Sequence, residues 1–95
     1  MIRSIKDKET KKVFLGEFSK KLPQAIQKIA LRKLIMLDNS LSINDLQVPP
    51  SNHLEQLKGD KKGFWSIRIN NQYRIIFRVN ESELEYDDVE IVDYH

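Results

Sequence analysis

The last three residues, Asp93-Tyr94-His95, set a carboxylate, a phenol and an imidazole side by side. Each is a group that general acid–base catalysis uses to move a proton. Arg74 and Arg78 stand at an even separation, which puts them on one face of any extended segment, and Arg68 precedes them. Forked guanidinium groups of this kind hold carboxylates or phosphates. Lys58, Lys61 and Lys62 crowd a polar turn just before them. The chain has no cysteine, so disulfides, thiolate nucleophiles and Cys-based zinc sites are excluded. Of the two histidines, His53 follows a Pro-rich turn without a partner at metal-ligand spacing and reads as a partly exposed loop residue. The chemistry on offer is proton transfer and anion binding, with no metal and no cofactor expected.

A histidine at a chain end ordinarily frays into water. Here Val89, Ile91 and Val92 give the preceding residues strand character, which ties the end to a sheet. The elements that would position these groups follow from apolar periodicity. Residues 2–5 alternate as a short strand that pairs into a sheet. A first helix begins at Asp7, with Asp7 or Thr10 as its cap and Val13, Phe14, Leu15 and Phe18 at helical spacing, and the segment 19–23 ends it. A second helix spans 24–38, with Pro23 in its first turn and Ile26, Ile29, Ala30, Leu34 and Leu37 on one stripe; Lys28, Arg32 and Lys33 lie elsewhere on the cylinder. A one-turn helical start follows Ser42, then the extended segment 48–52. Strands are predicted at 54–57, 64–70, 73–79 and 84–93, with turns at 58–63 and 80–83. The fold class is therefore α+β, two helices packed on one face of a mainly antiparallel sheet whose other face stays open.

The two cleanest strands fix their own register. Trp65, Ile67 and Ile69 form one apolar row and Tyr73, Ile75, Phe77 and Val79 the other, and facing rows must share a side of the sheet. Both rows are odd-numbered, which requires a loop with an odd number of residues. Asn70-Asn71-Gln72 supplies it, because asparagine accepts φ > 0. Ile69 then pairs with Tyr73, Ile67 with Ile75 and Trp65 with Phe77, and on the other face Arg68 lies beside Arg74. Like charges directly opposite are unfavourable by some tenths of a kcal/mol, so a counter-charge is expected. Two sources fit: a carboxylate of the last strand (Glu85, Asp87, Asp88 or Glu90), or a bound phosphate, with Arg78 extending the site.

Ninety-five residues are the size of one domain, 1–95, and too few for a deep dinucleotide or barrel cleft. A charged share of 32% is ordinary for a compact domain, and the net charge of +2 hides an asymmetry. Residues 1–62 carry 13 basic against 7 acidic side chains, a net of +6; residues 63–95 carry 3 against 7, a net of −4. Such a split points to a polyanionic partner or to solvated lysine-rich helix faces. The first twelve residues lack the apolar stretch of a signal peptide, and no apolar run approaches membrane-spanning length. A cytoplasmic protein without membrane contact is expected.

Read together and in order, the segment from Val48-Pro-Pro-Ser-Asn to Leu57-Lys-Gly-Asp, then Gly63-Phe-Trp-Ser-Ile-Arg, then Tyr73-Arg-Ile-Ile-Phe-Arg, then the closing Asp93-Tyr94-His95 resemble the HigB toxins of the RelE/ParE superfamily. The resemblance covers nearly the whole chain. It implies a type II toxin that cuts messenger RNA in the ribosomal A site by 2′-hydroxyl attack, without metal, and that a HigA-like helix-turn-helix antitoxin neutralises. His95 would be the leading acid or base, with Tyr94 and Asp93 orienting it or the ribose. Lys58 and Arg74 match basic family positions and would hold phosphate; Arg68, Arg78, Lys61 and Lys62 would add RNA contacts. Members can carry a further catalytic histidine where this chain has Glu55, and the resemblance leaves open whether Glu55, His53 or neither replaces it. The alternative within the superfamily is a non-catalytic ParE-like toxin that poisons a topoisomerase.

Overall fold

The computed structural model describes residues 1–80 and 84–94. Two helices, α1 (Lys8–Phe14) and α2 (Gln24–Asn39), precede four strands, β1 (Glu55–Gln56), β2 (Phe64–Arg68), β3 (Tyr73–Asn80) and β4 (Glu85–Asp93). The strands make one antiparallel sheet in the order β1-β2-β3-β4. The α+β architecture predicted above is the one found. No helix among the described residues is long and apolar enough to cross a membrane.

Asp7 caps α1, its carboxylate accepting from the Thr10 amide at 3.2 Å. The helix then stops at Phe14, well short of the expected 19–23. Gly16, at φ +80°, donates to the Val13 carbonyl while Glu17 donates to Lys12, the paired bonds of a Schellman ending. The apolar spacing beyond it is therefore not a helix face, and Leu15 and Phe18 are left 60% and 59% exposed. In α2 the stripe is as expected: Ile26, Ala30, Leu34 and Leu37 are buried against the sheet, and each large side chain so buried contributes about 1.5–3 kcal/mol.

The β2–β3 register is also as expected, Trp65 opposite Phe77, Ile67 opposite Ile75 and Arg68 opposite Arg74. The Asn70 side chain holds the loop, its oxygen accepting from the Gln72 and Tyr73 amides at 2.8 Å each. β4 carries a bulge that alternation alone does not reveal. Ile76 pairs with Glu90 but Arg78 pairs with Asp87, and Asp88 takes up the extra residue at φ +53°. The parity of inward positions changes there, so Tyr86, Val89 and Ile91 all reach the core. Tyr86 packs edge-on against Phe77 with ring centroids 5.3 Å apart and hydrogen-bonds Ser40 through its hydroxyl.

Residues 2–5 do not form a full ladder. They make two parallel bridges along the free edge of β4, Ile2 to Tyr86 and Ile5 to Val89. Side chains complete this edge: Arg3 forks onto Asp87 at 2.8 and 2.6 Å, holding its carboxyl below the usual aspartate range, and Thr10 accepts the Ile91 amide at 2.9 Å. β1 is shorter than predicted. On the face away from the helices, Glu55, Ser66, Ile76 and Glu90 line up across the four strands. Ser66 and Ile76 are buried there, so this face is not open along its centre as alternation suggested. The expected turn at 80–83 falls mostly on residues outside those described.

Candidate active site

The outer face gathers part of the predicted set at the end of the sheet nearest the β2–β3 loop. Arg74 leans across β2, where Ser66 leaves room beside it, and reaches the β1 end. Its Nη1 lies 3.4 Å from Glu55 Oε1 and its Nη2 donates to the His53 carbonyl at 2.6 Å. The Tyr94 ring faces the same guanidinium at 5.7 Å, within cation–π range. The Arg74 side chain is 13% exposed, and its Nε is buried without a hydrogen-bond partner among the described residues. Glu55, by contrast, is half exposed. The counter-charge that the Arg68–Arg74 pairing demanded thus comes from β1, not from the acidic last strand. Arg68 relieves the rest of the repulsion by turning to the Asn71 amide oxygen.

Local backbone explains why these groups converge. The Pro50–Asn52 turn ends at His53 in the left-handed region, φ +45°, which leaves the His53 carbonyl available to Arg74. Asn52 is fully buried beneath, its amide donating to the Leu46 and Val48 carbonyls at 3.0 and 3.3 Å and its oxygen accepting from Lys33. At the other side Tyr94 is fixed by its amide, which donates to the Gln72 carbonyl at 2.6 Å, and Gln72 also donates to Asp93 at 3.1 Å. The closing residues are therefore anchored to the β2–β3 loop up to Tyr94. His95 lies outside the described residues.

Other predicted residues stand apart. Lys58 is exposed beyond β1, lining a small cleft with Gln56, Leu57 and Lys62. Arg78 and Lys61 gather on the Phe64 ring, at 4.8 and 5.9 Å from its centroid, and Arg78 meets Asp88 at 3.7 Å. Among the described residues no group of three or more acidic, His or Cys side chains is arranged to hold a metal. Sequence reading missed Asn52, Gln72 and Phe64. Of these only Asn52 left a trace, as a polar residue two positions after Pro49-Pro50, where a buried turn needs its carbonyls satisfied.

What the arrangement can do chemically is present a desolvated guanidinium to an anion. The carboxylate now on it sits at long range and in water, so a phosphate oxygen can displace it, while a carboxylate and a phenol remain within reach to handle protons.

Comparison with known proteins gives a family match over residues 3–95, to HigB-like toxins, described as RelE-like toxin of type II toxin-antitoxin system HigB. An uncharacterized Haemophilus influenzae protein is 42% identical over 69 residues, 73% of this chain and 68% of that protein. Toxin HigB-1 of Vibrio cholerae is 46% identical over 57 residues, which are 60% of either chain. Among solved structures, the YoeB-YefM complex from Staphylococcus aureus matches all of this chain and 95% of its own at a TM-score of 0.55 and 18% identity. The toxin-antitoxin complex RelBE2 from Mycobacterium tuberculosis matches all of this chain and 96% of its own at 0.51 and 18%. At that identity these two show a shared fold.

Proposed function

The chain belongs to the HigB-like toxin family, RelE-like toxins of type II toxin–antitoxin systems, and from that premise we propose that it is a ribosome-dependent endoribonuclease cutting messenger RNA in the A site. The observation that carries the proposal is Arg74: a guanidinium almost withdrawn from water, braced by a backbone carbonyl, and neutralised by one exposed carboxylate that a phosphate can replace.

In this reading the scissile phosphate takes the place of Glu55 on Arg74, with Lys58 as a second cation. Glu55, displaced toward the ribose, removes the 2′-hydroxyl proton. The 2′-oxygen attacks phosphorus, the bond to the 5′-oxygen breaks, and His95 gives that leaving oxygen its proton. The products are a 2′,3′-cyclic phosphate and a free 5′-hydroxyl, with charge on the pentacoordinate phosphorus met by Arg74. Tyr94 and Asp93 orient the acid or the ribose. Arg68, Arg78, Lys61 and Lys62 hold flanking phosphates. No metal or other cofactor takes part in these steps. A HigA-like antitoxin neutralises the toxin, which acts as one domain over residues 1–95 in the cytoplasm.

The test is to map message ends after brief induction. Wild type is expected to leave cuts in translated messages, and His95→Ala to leave none while still folding and binding antitoxin. Undiminished cutting by His95→Ala rejects the mechanism, and inhibition of gyrase supercoiling that survives loss of His95 would favour a topoisomerase poison instead.

A further inference from the structure

Between α2 and the β2–β3 loop lies a cleft of about 560 Å³, and of its lining only Arg68 has been given a role above. Arg32 and Lys33 line it from α2 and Arg68 from the end of β2, together with the apolar side chains of Ile29, Met36 and Ile69. No carboxylate is among its lining residues. Elsewhere the arginines meet acids: Arg3 on Asp87, Arg74 on Glu55, Arg78 on Asp88. In the cleft the hydrogen-bond partners are neutral, Asn71 for Arg68 and Asn52 for Lys33. Burial, with the charge of Arg32 beside it, pushes the Lys33 ammonium below its ordinary pKa. Positive charge is thus concentrated in a partly desolvated place without protein counter-charge, a cost that a bound anion offsets.

The volume is that of a small-ligand site, and the mixture of three cations with aliphatic walls suits a ligand having a phosphate and a flat apolar body. We infer that the cleft is a second RNA subsite, taking a nucleotide that flanks the cut one, with its phosphate at Arg32 and Arg68 and its base against Ile29, Met36 and Ile69. Arg68 is what favours a nucleic acid over an acidic protein segment. It lies directly opposite Arg74 in the sheet, so a strand held at Arg74 passes Arg68 before it reaches α2. The inference rests on the function proposed above and extends the same substrate path.

The test uses the purified full chain and a short fluorescent single-stranded oligoribonucleotide made uncleavable by 2′-O-methylation, with anisotropy read at several salt concentrations. Lys33 supports buried Asn52, so the informative variant is Arg32→Ala on the exposed side of the helix, with Lys28→Ala as a control of equal charge outside the cleft. Arg32→Ala is expected to weaken binding about fivefold and to lower the salt slope by about 0.7, the value of one lost single-strand phosphate contact; Lys28→Ala leaves both as in wild type. No binding by wild type, equal losses in the two variants, or an unchanged Arg32→Ala overturns the subsite. So does an Arg32→Ala chain that loses antitoxin while keeping RNA, which would give the cleft to a protein partner. Message cleavage is followed in parallel: a chain that binds through Arg32 but never cuts overturns the nuclease and keeps the subsite, while a chain that cuts normally and binds equally without Arg32 overturns the subsite alone.

Discussion

A guanidinium that has given up most of its water must be held by something, and at Arg74 the holders are unequal. The His53 carbonyl at 2.6 Å is a short, fixed bond; Glu55 at 3.4 Å is long and half exposed. With its carboxylate half in water and at long range, the pair is a weak one, so a substrate phosphate can exchange for Glu55. Glu55→Gln keeps the side chain's size and removes its basicity. If Glu55 takes the 2′-hydroxyl proton, the single-turnover cleavage rate falls about a hundredfold, with ribosome affinity and thermal stability near wild type. A rate within twofold of wild type would remove Glu55 from the mechanism.

At the scale of elements, the ends decide where the site residues go. Gly16 has nothing within 4 Å of where a Cβ would lie, so Gly16→Ala pays only for its left-handed backbone, about 1 kcal/mol, measurable as a lower denaturation midpoint with unchanged slope. The edge of β4 depends on pH through Asp87. Its folded-state carboxyl is held below the unfolded value by Arg3, so the bond stabilises the fold above the unfolded pKa and is lost as pH falls through the folded one. Arg3→Ala should therefore lower stability at pH 7 and flatten its decline below about pH 4, as acid titration of unfolding would show. Helix α2, the β2–β3 register and the pairing of Arg68 with Arg74 were legible because strict periodicity allows only one buried face. The rest was not, for identifiable reasons. Gly16 ends α1 by a backbone conformation that apolar spacing ignores, the Asp88 bulge breaks the alternation that strand reading assumes, and the Arg74–Glu55 pair joins strands separated by a third. Lys58 and Arg74 were legible as residue types, yet their neighbours depended on these long-range facts.

Over the whole molecule, the open clefts and the surface arginines describe a protein that lays its chemistry on a face. Under the proposed function, such a face would supply cations and proton carriers and leave a larger body to hold the RNA in line. The positive excess of residues 1–62 suits attraction to a ribosome, so association should weaken steeply with salt between about 50 and 200 mM, as pelleting with ribosomes would show. The central claim is that Arg74 meets the phosphate being cut. The most direct measurement is the single-turnover cleavage rate of a message positioned in the A site, for wild type and Arg74→Ala at saturating toxin. The expected result is a rate lower by a factor of about 10² to 10³, with ribosome binding retained. Cleavage by Arg74→Ala at the wild-type rate would contradict it.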